Sequence, residues 1–324
     1  MRAYYTMKRG FCQEKPQKSP FRNEPDPAIF PRSHPNALTS RPFSATICSK
    51  ENRRLLEVKR SMLDGELLRR RLAERGLSLA CFAPPETGST NNDAKEYAKT
   101  APKEPVLFAA DRQTAGRGRQ GKTFVSPPGG LYMSLLLTTE LPTEGAVGVT
   151  GCAAVAACRA VEECAAVPAR IKWVNDILVP IPSSGRWGKA AGILCERVET
   201  ESGSALVIGI GLNVGSAPKV EGANFPPAAL ARPDHPVEPE LLCACLTERF
   251  LSFARDGFRF SRAVREYRER SVVLGQQIVF VRDGISRTGT VRAIDDDGSL
   301  LADTPEGPVR LDSGEISVRL SPRA

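Results

Sequence analysis

Histidine is nearly absent from this chain: there are two in 324 residues, His34 and His235, each followed by proline. That scarcity argues against an imidazole-based mechanism and against a histidine-rich metal centre. Nine cysteines are present, but no two are spaced C-x-x-C. Cys243-x-Cys245, on an expected helix, is poor zinc-ligand spacing. Buried free thiols in a reducing compartment are the expectation. No apolar run reaches the length of a membrane span, and no secretory apolar segment follows the start. Excess charge is missing from most of the chain as well. Residues 1–60 carry thirteen Lys/Arg against five Asp/Glu, so they hold the whole net charge of +8, and the other 264 residues are balanced. A nucleic-acid-binding reading therefore rests wholly on that first segment.

What is present is an ordinary globular chain, 41% hydrophobic, with room for two domains and an extra segment. Residues 1–50 hold seven prolines and no sustained periodicity, so residues 1–60 are expected to be a disordered basic extension. A start read too far upstream, an organellar transit peptide and a partner-binding arm compete as explanations, with Met62 the expected true start in the first case. Helices are expected over 63–76, 90–99, 145–167, 240–256 and 261–271, the second capped by a Ser/Thr/Asn cluster. Strands are expected at 78–82, 131–137, 170–173, 177–180, 192–198 and 205–213, with a Pro-rich loop over 216–239. From 274 onward, short strands alternate with turns such as Asp297-Gly298 and Glu306-Gly307, which reads as a small β-barrel.

The most informative stretch is Asp111-Arg112-Gln113-Thr114-Ala115-Gly116-Arg117-Gly118-Arg119-Gln120-Gly121-Lys122-Thr123, lying between the apolar runs Val106–Ala110 and Leu131–Leu137. Glycines let the backbone approach an anion, and the guanidinium and ammonium groups supply charge and directed hydrogen bonds. Gly116 to Thr123 satisfies G-x-x-x-x-G-K-[ST]. The context rejects a phosphate-binding loop of that type. Five residues separate it from the preceding apolar run, and Phe-Val-Ser-Pro-Pro-Gly-Gly follows where a helix should open. On this segment alone, a solvated basic hairpin is an equal alternative.

Four further segments change that balance: Gly88-Ser89-Thr90-Asn91 before a helix, Lys172-Trp173-Val174-Asn175-Asp176 between two strands, Lys189-Ala190-Ala191-Gly192-Ile193-Leu194, and Gly209-Ile210-Gly211-Leu212-Asn213. In this order, with the β-rich tail, they resemble the biotin protein ligase (biotin–[acetyl-CoA-carboxylase] ligase) family from about Ala83 to the C-terminus. The resemblance implies an α+β fold. A mixed-sheet catalytic domain over 62–271, related to class II aminoacyl-tRNA synthetases, would precede an SH3-like β-barrel over 272–324. Many members carry a helix-turn-helix domain at the N-terminus, but no pair of amphipathic helices is visible here, so DNA binding and a repressor role are disfavoured.

The resemblance also implies the chemistry. Biotin carboxylate attacks the α-phosphate of ATP, giving biotinyl-5′-adenylate and pyrophosphate, and a carrier lysine then displaces AMP. Two anions must meet, so fixed cations and backbone N–H groups are the expected catalysts and no enzyme nucleophile is needed. Lys189, Arg119, Asp176 and Lys172 are the implied catalytic residues. Biotin would be held by Ser89, Thr90, Asn91, Gln113, Gly116, Arg117, Gly118, Arg119, Lys189 and Gly192. The nucleotide would be held by Arg117, Arg119, Phe124, Asn175, Asp176 and Asn213. Arg119 is expected to retain the intermediate, and its loop to order around ligand. Mg²⁺ is expected with ATP through the phosphates, with no dedicated metal site. The implied partner is a biotin carboxyl carrier protein or domain; no membrane is involved, the compartment is the cytoplasm, and a homodimer is left open. Two departures stand out: Val174 replaces the usual proline and Phe124 a common tryptophan. Trp173 is expected in the core. Gly192 and Gly211 read either as sites of close approach or as bulges. A lipoate–protein ligase is the rival within the fold, and a basic-armed nucleic-acid regulator the rival outside it.

Overall fold

The structure of the chain is a computed structural model that describes residues 63–138, 145–201, 203–223, 225–282, 284–312 and 318–320. The expected extension over 1–60 lies outside the described residues. Seven strands form the main sheet: β1 (Ala80–Phe82), β3 (Val106–Ala110), β5 (Leu131–Leu137), β9 (Gly203–Leu212), β8 (Trp187–Thr200), β7 (Asp176–Pro180) and β6 (Arg170–Lys172), side by side in that order. Only β1 and β3 run parallel; the other pairs are antiparallel. A two-stranded parallel ribbon, β2 (Glu86–Thr87) with β4 (Arg112–Gln113), stands beside it. The fold is thus the expected mixed sheet.

Period-two alternation sorts the strands into two faces. Leu107, Ala109, Leu131, Met133, Leu135, Leu137, Ile208, Ile210 and Leu212 point into the larger core. Helices α1 (Gly65–Glu74), α3 (Ala146–Ala165) and α4 (Pro239–Arg255) cover that face. Asp64 caps α1 by accepting from the Glu66 and Leu67 N–H groups at 2.8 and 3.1 Å. Helix α3 is built from alanine, glycine, valine and cysteine and is buried almost all round. Its small side chains let neighbours come close: a Cβ added at Gly151 would lie 2.3 Å from the Phe260 ring.

The opposite face is only half covered. Helix α2 (Thr90–Ala98) packs Ala94 and Ala98 against Val106, Phe108, Leu136, Ala205 and Val207. Beyond its N-terminus the loop that carries Phe124 lies over this face, and the strand register fixes what lines it. Lys172, Asp176, Gly192, Gly211, Tyr132 and Ala110 form one cross-strand row. Leu194, Gly209, Ser134 and Phe108 form the next.

After α5 (Val264–Arg270), the chain enters a five-stranded antiparallel sheet, the set of strands the SH3-like barrel requires. Its strands are β10 (Gln277–Arg282), β11 (Ile285–Ile294), β12 (Leu300–Thr304), β13 (Gly307–Leu311) and β14 (Val318–Leu320), in the order β13-β12-β11-β10-β14. Ile278, Phe280, Val291, Ile294, Leu300 and Leu311 join the larger core. No helix among the described residues is long and apolar enough to cross a membrane.

Candidate active site

The half of the sheet beyond α2 is the floor of a groove, and the loop from Asp111 to Ser126 is one wall. The loop does not behave as a phosphate-binding loop. It closes on itself through Gly118 N to Lys122 O at 2.7 Å and Phe124 N to Gly116 O at 3.0 Å, with only a 3₁₀ turn at Arg119–Gly121. Gly116 sits so tightly that a Cβ would lie 2.4 Å from the Phe124 carbonyl oxygen and 2.5 Å from Ser126 Oγ.

Three contiguous compartments share the Phe124 ring as a wall. The narrowest, about 20 Å³, lies against the N-terminus of α2 and is lined by Ser89, Thr90, Asn91, Gln113, Arg117 and the strand glycines. The second, about 190 Å³, runs between Arg117–Phe124 and Trp173–Asp176. The third, about 340 Å³, opens between Lys122–Val125, the Lys172–Asp176–Lys189 group and the 218–227 loop. Together they are lined by five cations (Arg117, Arg119, Lys122, Lys172 and Lys189) and one carboxylate, Asp176. All the sequence-singled site residues except Gly116 line a compartment; Gly116 acts at one remove, through the Phe124–Ser126 backbone it lets close.

Period two explains the glycines of Gly209-Ile210-Gly211-Leu212-Asn213. Gly209 and Gly211 face the groove while Ile210 and Leu212 face the core. A Cβ at Gly211 would lie 2.5 Å from the Phe124 ring, and one at Gly192 would lie 3.1 Å from it. Both are sites of close approach by an aromatic ring, and neither is a bulge. The sheet's bulge instead falls between Ile177 and Leu178, opposite Ala190. It puts Lys189 and Gly192 on the same face, although they are an odd number of residues apart. Phe124 also carries Lys189 Nζ 5.6 Å from its ring centroid.

Asp176 is the electrostatic centre. Its Oδ1 lies 2.6 Å from Lys189 Nζ and its Oδ2 lies 3.4 Å from Lys172 Nζ. Burial pushes its carboxyl up, but the two ammonium groups outweigh that and hold it below the usual carboxylate range. Burial also pulls Lys172 below the ordinary amine value, against the opposing pull of Asp176. Arg119 is likewise lowered by burial, opposed by Asp176. Arg119 Nη1 donates to Asn175 Oδ1 at 3.3 Å. Asn213 Nδ2 donates to the Lys189 carbonyl at 3.1 Å, while its buried Oδ1 has no hydrogen-bond partner among the described residues. Asn213 lines the third compartment, and its unmatched oxygen suits a donor brought by a ligand.

The α2 end differs from expectation in one detail. Ser89 occupies the N-cap position, but its hydroxyl makes no capping bond. Gln113 Oε1 does that work, accepting from Thr90 N at 2.9 Å and Thr90 Oγ1 at 3.2 Å. Ser89 lines the narrow slot. Asn91 is anchored from within the protein: its amide donates to Glu196 Oε2 at 2.8 Å and accepts from Ser134 Oγ at 2.6 Å. Lys95 Nζ holds the other Glu196 oxygen at 2.9 Å. Ser134, Glu196 and Lys95 were not singled out from sequence. Glu196 continues the period-two series from Gly192 and Leu194, a signal that could have found it. Trp173 is in the core, 3% exposed, as expected. The Trp173–Val174 peptide bond is cis.

A mixed seven-stranded sheet with this cation-lined groove, followed by a small antiparallel sheet, is the biotin/lipoate ligase fold. Residues 83–213 match the biotin/lipoate A/B protein ligase family, and residues 273–319 match the biotin protein ligase C-terminal domain. The bifunctional ligase/repressor BirA of Bacillus subtilis is 32% identical over 241 residues, covering 71% of each chain. The biotin–[acetyl-CoA-carboxylase] ligase of Paracoccus denitrificans is 30% identical over 240 residues, which are 71% of this chain and 97% of that one. The Aquifex aeolicus biotin protein ligase in complex with biotin and ATP superposes with a TM-score of 0.60 at 25% identity, covering 75% of this chain and 99% of that one. The chain belongs to the biotin protein ligase family.

Proposed function

We propose that this chain is an ATP-dependent ligase that makes biotinyl-5′-adenylate and passes the biotinyl group to a lysine of a biotin carboxyl carrier domain of the acetyl-CoA carboxylase type. The observation that carries this reading is a slot at the α2 N-terminus, lined by four neutral polar side chains beside glycines and apolar groups, continuing into a groove of five cations and one carboxylate. The polar groups of the first part match the chemistry of a neutral ring system with a carboxylate tail, and the cations of the second match a triphosphate. The anions meet at Lys189, which borders both larger compartments and lies beside Gly192 of the slot.

In the first step, a biotin carboxylate oxygen bonds to the α-phosphorus and pyrophosphate leaves. Lys189 and Arg119 offset the charge that builds there, and Lys172 and Lys122 serve the phosphate side. Asn175 and Asn213 contact the nucleotide, and Phe124 offers a face for adenine. In the second step, the carrier amine attacks the acyl carbon and AMP leaves. Asp176, an acceptor held ionised, takes part in removing the amine's proton. Ser89, Thr90, Asn91, Gln113 and Arg117 form the biotin end. At about 20 Å³ the slot holds roughly one water, so Arg117 and Phe124 must move to admit a bicyclic ring. That supports a loop that rearranges around ligand.

Mg²⁺ enters as part of MgATP. Among the described residues no cluster of three metal-ligating side chains exists, and the large compartment offers the oxygens of Thr123, Asp176 and Asn213. The catalytic unit is assigned to 62–271 and the appended barrel to 272–324, in a cytoplasmic protein.

The test is biotin-dependent ATP–pyrophosphate exchange in the full chain and in Lys189→Ala. The expected result is exchange with biotin but not lipoate, falling at least about 100-fold in the variant. Exchange driven by lipoate, or none with any acid in folded protein, refutes the reading.

A further inference from the structure

Three consecutive residues between β6 and β7 are each held by a different part of the molecule. The Trp173 indole N–H donates to the Gly298 carbonyl at 2.9 Å. The Tyr267 hydroxyl donates to the Val174 carbonyl at 3.1 Å. The Asn175 amide donates to the Ile193 carbonyl at 2.8 Å and accepts from Arg119 Nη1 at 3.3 Å. The next residue is Asp176, between its two lysines. A turn that sets two groove residues is therefore not self-supporting.

Tyr267 comes from α5, the last helix before the C-terminal sheet. It is 1% exposed, and its ring meets Phe260 edge-on at 5.5 Å. The adjoining Arg268 points the other way, donating to the Ile294 carbonyl and to Asp296 Oδ1, both at 2.8 Å. Gly298 lies in the turn between β11 and β12. It has φ +89°, and a Cβ there would lie 2.7 Å from Val147 Cγ1 and 3.2 Å from the Phe260 ring. The C-terminal sheet is thus fitted closely against the elements that support the turn.

We propose that Tyr267 is a positioning residue of the adenylation step: through Val174 it fixes the turn that sets Asn175, and through Asn175 the Arg119 guanidinium. The Trp173–Gly298 bond makes the C-terminal sheet part of the same support. The proposal rests on the ligase reading given above. None of the three supports touches Ser89, Thr90 or Gln113, so biotin binding is the internal control. Misplacement of a charge-stabilising group by an ångström costs up to about 100-fold in rate.

Tyr267→Phe removes the hydroxyl and keeps the ring. In the full chain, kcat/KM for ATP in biotin-dependent exchange is measured beside the biotin Kd. A loss of roughly 3- to 30-fold in kcat/KM is expected, with the biotin Kd within about twofold of the unsubstituted chain. In an Arg119→Ala background, the same substitution is expected to add less than about twofold, because its effect runs through Asn175 to Arg119. An unchanged kcat/KM, a full further loss in the Arg119→Ala background, or an equal loss of biotin affinity overturns the proposal. Should Tyr267→Phe fail to fold, Trp173→Phe is put through the same cycle, and the same results decide. Absence of exchange in the unsubstituted chain refutes the ligase reading itself, and this proposal with it.

Discussion

Gly209 and Gly211 lie two residues apart on one face of β9, and a methyl group at each is expected to do different damage. At Gly209 the new Cβ would lie 1.8 Å from Asn91 Oδ1, 2.7 Å from Cγ and 2.9 Å from Nδ2. Asn91 cannot step aside, because Ser134, the Leu194 carbonyl and Glu196 all hold it. Gly209→Ala should therefore damage folding. Overpacking costs about 1–3 kcal/mol, and leaving Asn91 or Glu196 without a partner adds about 1–3 kcal/mol. The melting temperature should fall by roughly 4–24 °C.

At Gly211 the Cβ would lie 2.5, 3.0 and 3.1 Å from three atoms of the Phe124 ring. Phe124 is on a loop, half-buried, with open groove on either side. Its ring can swing away at little expense to the fold, and alanine in a strand regains about 0.5–1 kcal/mol relative to glycine. The damage should fall on activity instead, because the ring walls every compartment and sits beside Lys189 Nζ. A loss of about 10- to 100-fold in kcat/KM for ATP is expected, equivalent to roughly 1.4–2.8 kcal/mol of transition-state stabilisation. Melting curves and biotin-dependent exchange on both variants decide the matter. Equal melting losses, or wild-type kinetics in Gly211→Ala, would refute the argument.

Three other outcomes follow from the same geometry. Ser134→Ala strips the hydroxyl that serves Thr90 Oγ1 at 2.8 Å and Asn91 Oδ1 at 2.6 Å; stability should fall by about 1–3 kcal/mol and KM for biotin should rise, whereas an unmoved KM would separate this network from the slot. Burial lowers Lys172, so exchange should decline on the alkaline side below pH 10.5 as its proton leaves, and Lys172→Arg should move that limb upward; a fixed limb assigns it to another group. Asp176 has a folded pKa below its unfolded value, so its stabilisation is present above the unfolded value and lost as pH falls through the folded one. Asp176→Asn should accordingly flatten the stability loss below about pH 4, as acid titration of the melting temperature would show.

The legible part of the sequence was the part where neighbours in the chain are also neighbours in function. The alternation Gly209-Ile210-Gly211-Leu212 announces a strand with one face stripped of side chains, and the structure puts an asparagine and an aromatic ring against that bare face. The loop from Asp111 to Thr123 announces itself by glycine and charge, and its failure to be followed by a helix was readable from Pro127-Pro128-Gly129-Gly130. Lys172 and Asp176 sit four apart across a turn, so their pairing was visible as soon as the two strands were. Lys189 is thirteen residues further on, and only the bulge opposite Ala190 brings it to the same carboxylate.

What sequence could not supply is support that arrives from far along the chain. Gly298 reads as an ordinary turn glycine after Asp297, yet its carbonyl receives Trp173 from 125 residues away. Tyr267 was not singled out from sequence, and its hydroxyl reaches a carbonyl 93 residues earlier. Neither pairing has a spacing rule, because each depends on where a distant helix or sheet meets the turn. The motif Lys172-Trp173-Val174-Asn175-Asp176 is therefore only half a device. Its charges are written in the motif, but its position is set by α5 and by the C-terminal sheet. Removing the Tyr267 hydroxyl takes no charged group out of the groove. A loss of adenylation in that variant, with biotin binding intact, would be a loss of geometry alone.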